Sequence, residues 1–487
     1  MADTKQEQET ETTTASLIAR VVLSGKLVLA SPLRIGTGIE GAGNREADIY
    51  VLKDEQGCPF IPGSSLAGVL RAWMTETQGA ELAKAFFGDE RASHGKNEDD
   101  GLQSSLDVRD IALRAADGTA APIVLRDGVC LQESTGTAKQ GGKFNYEAVE
   151  RGACGTFELT LTLRRYHEPQ FDAMLAGMQA MAGAIRSGIH LGSLTRLGFG
   201  RTLGKDLHLY VYDFRKSRTA AAAWLCREPY GEVALPEQAE RQIPRGAFQV
   251  EAAFFLKTPL LVRLRTEEKL ASELTVTAKP LESGDAFVLP GASLKGVLRH
   301  RAARILRKLG WKDADAALWL EDLMGTAGND RDKQAKKSRL RVEESYMERK
   351  DGRTKAAAQA RLHADRFTGG VMHLFGEKAV FQQGDAPALT LSYMVRPAKA
   401  EAAPRPGDIG LALLLLKDLW LGDVALGGDK SIGRGRLQGC AATLRYLDAD
   451  GKEQTWELDA DGALATGDAA PLDAWVQELG ALAGSRG

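Results

Sequence analysis

Two glycine-rich segments hold the residues best placed to do chemistry. "LGSLTRLGFGR" (191–201) and "LGGDKSIGRGR" (426–436) each set two glycines one residue apart, Gly198 with Gly200 and Gly433 with Gly435. Cations flank them: Arg196 and Arg201 in the first, Lys430, Arg434 and Arg436 in the second. Glycine lets backbone amides approach a ligand, and the cations can neutralise phosphate. Neither segment has the spacing of a Walker loop, and neither reads on into the helix of a dinucleotide fingerprint. Nucleotide hydrolysis is disfavoured, and no nucleotide cofactor is expected. The ordinary alternative is a pair of glycines that permit a tight hairpin.

A second phosphate seat is written in "PGSSLAGVLR" (62–71) and again in "PGASLKGVLR" (290–299), which differ at only two positions. Proline and glycine end a strand, Ser65 or Ser293 can cap a helix, and Leu66, Val69, Leu70 and Trp73 recur at helical spacing. The free amides at such a helix start attract anions. Ser64, Ser65 and Arg71 of the first copy, with Ser293, Lys295 and Arg299 of the second, are the candidate contacts. A plain capped helix packed on a sheet would have the same signature. Two basic runs add to this: "RHRAARILRKLGWK" (299–312) sets Arg301, Arg304 and Lys308 about one turn apart, and "RDKQAKKSRLR" (331–341) holds six cations and one acid. Either could follow a phosphate backbone, or be a solvated face.

Histidine and cysteine offer less. The seven histidines (His94, His167, His190, His208, His300, His363, His373) fall at no shared repeat positions, and His190, before the first glycine loop, is the one worth testing. The five cysteines are scattered without a CxxC pair, so neither a disulfide framework nor zinc is expected.

The elements that must position these residues come as a repeat. "ASPLRI" (30–35) answers to "KTPLLV" (257–262), "FFGDE" (86–90) to "LMGTA" (323–327), and "QESTGTA" (132–138) to "DRFTGGV" (365–371). With the PG element and the glycine loops, five anchors recur in one order, which fixes an architecture of two homologous domains. The boundaries read as a polar leader over 1–16, a first domain over 17–245, a second over 246–447, and an extension over 448–487 holding a short helix. That extension is either added packing or a docking arm. A hydrophobic share of 44% with 26% charged residues is that of a globular protein. No apolar run is long enough to span a membrane, and the acidic N-terminus lacks the order of a signal peptide, so a cytoplasmic, non-membrane protein is expected. A net charge of −2 gives no global sign of nucleic acid.

The PG element, the Thr-Gly element and the late glycine loop, twice in that order, resemble the RAMP superfamily of CRISPR-associated proteins. More narrowly, they resemble the backbone subunit of type III RNA-guided effector complexes, fused in tandem as in III-D-like variants. The likeness covers nearly all of both repeats. It implies an α+β fold: two ferredoxin-like, RNA-recognition-like βαββαβ domains, each with an inserted hairpin thumb that disrupts the guide–target duplex.

The resemblance further implies an antiviral ribonucleoprotein. Its partners would be a CRISPR guide RNA, a complementary target RNA and the large signalling, cap and small subunits of the complex. The glycine loops and PG helices would contact guide backbone, positioning RNA while base pairing supplies specificity. Thr135 and Gly136, with Arg366, Thr368 and Gly369, are carried over at the thumbs. Asp48 matches the aspartate that such backbones need to cut target RNA, which implies an endoribonuclease, a hydrolase using Mg²⁺ or another divalent ion that Asp48 could hold. In the second repeat the matching position falls within "LTVT" (274–277), where no acid stands, and Glu273 is the nearest carboxylate. The second copy is expected to bind guide with a degenerate site. A non-catalytic tandem scaffold is the alternative, and guide-precursor processing is disfavoured because no paired histidines show in the sequence.

Overall fold

The computed structural model describes residues 15–40, 49–89, 103–132, 138–235, 243–270, 274–326, 336–398 and 404–484. Two compact units emerge, one of Met1–Thr195 with Phe199–Gln242, the other of Arg196–Gly198 with Ile243–Gly487.

The first unit runs β1 (Leu17–Leu29), β2 (Gly36–Glu40), β3 (Ile49–Val51), α1 (Gly63–Thr77), α2 (Ala80–Phe87), β4 (Leu106–Val108), β5 (Ile123–Leu131), β6 (Ala138–Val149), β7 (Cys154–Arg164), α3 (Phe171–Ser187) and β8 (Arg201–Asp213). Strands β8, β1, β7 and β4 pair antiparallel in that order, the fourth–first–third–second arrangement of a ferredoxin-like palm. Alternation along β1 buries Val21, Leu23, Leu27 and Leu29, while Leu66, Leu70 and Met74 of α1 share one fully buried face. Burying each such side chain is worth about 1.5–3 kcal/mol, which fixes the helix on the sheet.

The second unit repeats the plan as β9 (Ala247–Leu256), β10 (Arg263–Lys269), β11 (Thr275–Pro280), α4 (Gly291–Lys308), α5 (Asp313–Met324), β12 (Leu340–Val342), β13 (Thr354–Ala364), β14 (Val371–Gln382), β15 (Leu389–Val395), α6 (Pro406–Trp420) and β16 (Leu437–Leu447). Its palm order is β12-β15-β9-β16, continued by β17 (Glu453–Leu458) and β18 (Leu464–Thr466). The C-terminal helix α7 (Ala469–Gly484) packs on α6, where a Cβ on Gly410 would meet the Trp475 carbonyl oxygen at 2.3 Å. Trp475 also meets Phe248, Tyr446 and Trp456 edge-on. The C-terminal helix is therefore packed on the second palm through Trp475. In each unit a long hairpin, β5–β6 or β13–β14, stands where the thumb was expected. No described helix is long and apolar enough to cross a membrane.

Candidate nucleic-acid interface

The PG turns place α1 and α4 without a serine cap. Pro62 and Pro290 occupy the N-cap positions with extended backbone and no side-chain cap, correcting the expectation for Ser65 and Ser293. Glycine follows because a strand passes over it: a Cβ on Gly63 would lie 2.1 Å from the Val108 carbonyl oxygen, and one on Gly291 2.9 Å from that of Val342. In the first copy the amide of Gly63 donates to Asp110 Oδ1 at 2.7 Å, so a carboxylate already fills the seat expected for phosphate.

The motif arginines join helix to helix. Arg71 donates to the carbonyl of Gly88 (3.3 Å) and Arg299 to that of Gly325 (2.8 Å), the glycines that end α2 and α5. A cation on the last carbonyls of a helix satisfies orphan acceptors and its dipole. Both arginines are half-buried. Lys295 is buried, and its ammonium donates to Ser338 Oγ (2.6 Å) and the Leu340 carbonyl (3.2 Å). Burial, aided by neighbouring guanidiniums, pushes it down to about 7. Lys295 is an interior donor, which corrects its assignment to RNA.

The glycine loops close on their own chain. The Gly200 amide donates to the Pro32 carbonyl (2.8 Å) and that of Gly435 to Pro259 (2.9 Å). Next to them, Ser31 Oγ accepts from Arg201 N and Thr258 Oγ from Arg436 N, both at 2.9 Å. A Cβ on Gly200 would meet the Leu191 carbonyl oxygen at 1.8 Å, and one on Gly435 that of Leu426 at 1.8 Å. These two glycines are fixed by chain closure, and their amides are not offered to a ligand. Gly198 and Gly433 share positive φ, 90° and 88°. Arg196 lies half-buried on a short 3₁₀ turn, Thr195–Leu197, and Lys430 on the matching turn of the second loop is exposed. Arg436 donates to the Gly422 carbonyl at 2.8 Å, with the residue otherwise exposed.

At the hairpin roots the copies diverge. In the first, Tyr146 meets Phe199 edge-on with ring centroids 5.9 Å apart, packed with Ala148 and flanked by Ile49, Val124 and Leu194. In the second, Glu377 and Arg434 stand at those positions, both buried and 2.9 Å apart. Arg434 also reaches Asp429 (2.9 Å) and Gln359 (2.7 Å), and Arg263 joins Glu377 (2.7 Å) and Asp429 (3.0 Å). Arg434 is thus consumed inside the fold, which corrects its reading as a phosphate contact.

The same register aligns the two copies around the candidate cutting position. Asp48, like Thr135, Gly136, His94 and Glu273, lies outside the described residues. Its successor Ile49 pairs in parallel with Tyr146, and Val51 donates its amide to Glu147 Oε2 at 3.0 Å. In the second copy Ala278 pairs in parallel with Glu377, so Thr277 answers to Asp48. The pairs Gly36–Val51 and Arg263–Pro280 give the same offset. Glu273 is four residues away, and the idea that it fills the missing role loses its register. Among the described residues no cluster of three or more His, Cys, Asp or Glu is placed to hold a metal.

At the second hairpin tip Arg366, Thr368 and Gly369 are exposed, and Thr368 Oγ1 donates to Asp365 Oδ2 at 2.7 Å to hold the turn. Phe367 is 93% exposed there. Of the basic runs, Arg301 pairs with Asp418 (2.6 Å), and Arg339 with Asp322 (2.7 Å) and buried Asp408 (2.8 Å); Arg304 and Lys308 stay exposed. Sequence reading missed one pair: His363 and His373 stand directly opposite on β13 and β14. His190 sits on a two-residue strand beside Arg201.

No curated protein matches the chain. Among solved structures it is similar to a chain of "Cryo-EM structure of the Type III-B Cmr-beta bound to cognate target RNA", at 14% identity and a TM-score of 0.29. That alignment covers 43% of this chain and 66% of the other, so the chain spans just under two thirds of that neighbour. The sequence family described as "RAMP superfamily" matches residues 26–202 and again 256–438. With the same palm order, glycine loop and hairpin built twice, the chain belongs to the RAMP superfamily and carries two of its domains in tandem.

Proposed function

We propose that the chain is a guide-RNA-binding backbone subunit of a type III CRISPR effector complex, and that its first domain cleaves complementary target RNA through Asp48. The tandem RAMP match supports the subunit reading. The observation that supports the cutting reading is the register at the first hairpin root: Ile49, next in sequence to Asp48, pairs with Tyr146 and packs beside it and Phe199, and in the second copy Thr277 answers to that acid. There a carboxylate beside a phosphodiester can take the proton of the adjacent 2′-OH as its oxygen attacks phosphorus and the 5′-oxygen leaves, a route open to RNA and closed to DNA. The resemblance also brings a divalent ion, Mg²⁺ or another. Among the described residues nearby, Glu147 is engaged by Lys53 and the Val51 amide, and Asp48 is the residue that would hold the ion. Partners would be guide RNA, target RNA and the other subunits of such a complex, in the cytoplasm.

Reconstitution with guide RNA and labelled complementary RNA tests this. Wild type should cut at a fixed place and Asp48→Ala should hold target without cutting; a variant that cuts at the same place removes Asp48 from the chemistry. A second reading, a tandem scaffold that leaves cutting to another subunit, draws support from the second copy, where Thr277 stands at the place of the acid. It wins if neither protein cuts while both retain target.

A further inference from the structure

Toward its tip the β13–β14 hairpin has no core of its own. Leu362, Val371, Met372 and Leu374 are each more than half exposed there, and a two-stranded hairpin without a packed face is marginal in water. At that end His363 stands directly opposite His373, the last pair in register before the strands slip between His363 and Ala364. Their ring centroids are 6.2 Å apart and the planes 15° from parallel. Both side chains are exposed, and among the described residues neither imidazole makes a hydrogen bond or an ion pair. Arg361, one step toward the root on the same face, is turned to Glu377 (3.3 Å) and Asp429 (3.6 Å), so its charge is already met by acids.

We propose that His363 and His373 form a cross-strand site for a late first-row divalent cation such as Zn²⁺, which clips the outer end of the second hairpin. Opposed side chains on a hairpin start about 4.5–5.5 Å apart at Cβ, within reach of one shared ion. A ring nitrogen lies about 1.2 Å from its centroid and binds zinc at about 2.0–2.1 Å, so two rings on one ion stand about 5–6.5 Å apart, depending on the bond angle. The observed 6.2 Å falls in that span, and turns of the two exposed side chains aim one nitrogen each at the ion. Imidazole suits zinc, nickel and copper, whereas magnesium and calcium take oxygen ligands. The chain supplies two ligands and water fills the open positions. Such a bond closes the tip into a loop and holds the register where pairing slips, the part a packed core plays elsewhere. The first hairpin has no histidine over 123–149, so the clip belongs to the second copy alone. It stands apart from the proposed cut and does not depend on it.

The test uses the untagged full chain, stripped with chelator, dialysed and titrated with zinc chloride by calorimetry, with amide hydrogen exchange followed in the presence and absence of zinc. One ion per chain is expected at micromolar zinc, bound at least about 10-fold more weakly after His363→Ala and after His373→Ala. Zinc should slow exchange over 361–374 in wild type and in neither variant, while exchange in the rest of the chain is the same in all three. Zinc held equally by wild type and either variant overturns the proposal, because other residues then bind it. So does a wild type that takes up no zinc at micromolar concentration. Zinc bound through both histidines with no slowing of exchange at the hairpin overturns it as well, since the ion then joins nothing.

Discussion

At the root of the first hairpin Tyr146 lies edge-on to Phe199 in an apolar plug; at the same place in the second, Arg434 donates to buried Glu377. The backbone around them is the same. Leu194 and Asp429 both take left-handed φ, 58° and 57°, a conformation an aspartate tolerates and a leucine resists. Gly200 and Gly435 each press on a carbonyl that leaves no room for a Cβ. The closure of the loop is therefore the fixed quantity, and the side chains that fill its underside change in pairs. A ring against a ring and a cation against a carboxylate are both viable fillings, because a buried ion pair with its hydrogen bonds met roughly matches an apolar pair of similar volume. The effect of the choice is local: the apolar root packs Ile49 beside Tyr146 and Phe199, whereas in the ionic copy Thr277 lines the same cavity as Arg361.

The largest expected difference between the copies is catalytic. Asp48→Ala should lower the rate of target cleavage by about 10²–10⁴-fold, and Thr277→Ala should leave that cut untouched, as read by single-turnover cleavage of labelled RNA. Equal losses from the two would erase the functional half of the comparison. Next comes the ionic root. Arg434→Ala strands Glu377 and Asp429 among fewer cations and should cost about 3–5 kcal/mol in denaturant unfolding of the second unit. The paired exchange Glu377→Tyr with Arg434→Phe should recover most of that loss. An exchange no better than Arg434→Ala alone would show that the two roots are not interchangeable fillings.

The repeat, the first strand, the PG helices and both glycine loops were legible in the sequence, because each is a local pattern: alternation, helical spacing, a PG turn, paired glycines; the palm order and the hairpin thumbs were expected from the family resemblance. The direction of each cation was not. Charge counting cannot tell an arginine that caps Gly88 or Gly325 from one that faces solvent, since the acceptor lies on another helix. Asp110 likewise reaches Gly63 from far along the chain, and no spacing rule announces it. His363 and His373 looked unrelated because only the strand register brings them opposite, and the same register was needed to replace Glu273 by Thr277.

Lys295 sharpens the comparison at a smaller scale, since the first copy has Ala67 at this place. Its folded value, about 7, lies below the ordinary 10.5, so between those pH values the unfolded chain holds a proton that the folded chain lacks. Stability of the second unit should rise with pH across that window at up to about 1.4 kcal/mol per pH unit and be flat below it. Lys295→Met should flatten the slope in denaturant titrations from pH 7 to 10, and a wild-type slope that is already flat would mean the ammonium stays charged through its bonds to Ser338 and Leu340.

The smallest expected effect falls where the copies agree. Arg71 and Arg299 make one matched contact each, from helix to the closing glycine of the next, and a hydrogen bond from a charged group of this kind is worth about 1.5–3 kcal/mol. Arg71→Met and Arg299→Met should therefore destabilise their units by similar amounts while the salt dependence of guide binding keeps its slope, because no phosphate contact is removed. A slope that falls by about one for either variant would mean that guanidinium leaves its glycine carbonyl for the RNA backbone, and the shared motif would then be a binding element in that copy and a helix clamp in the other.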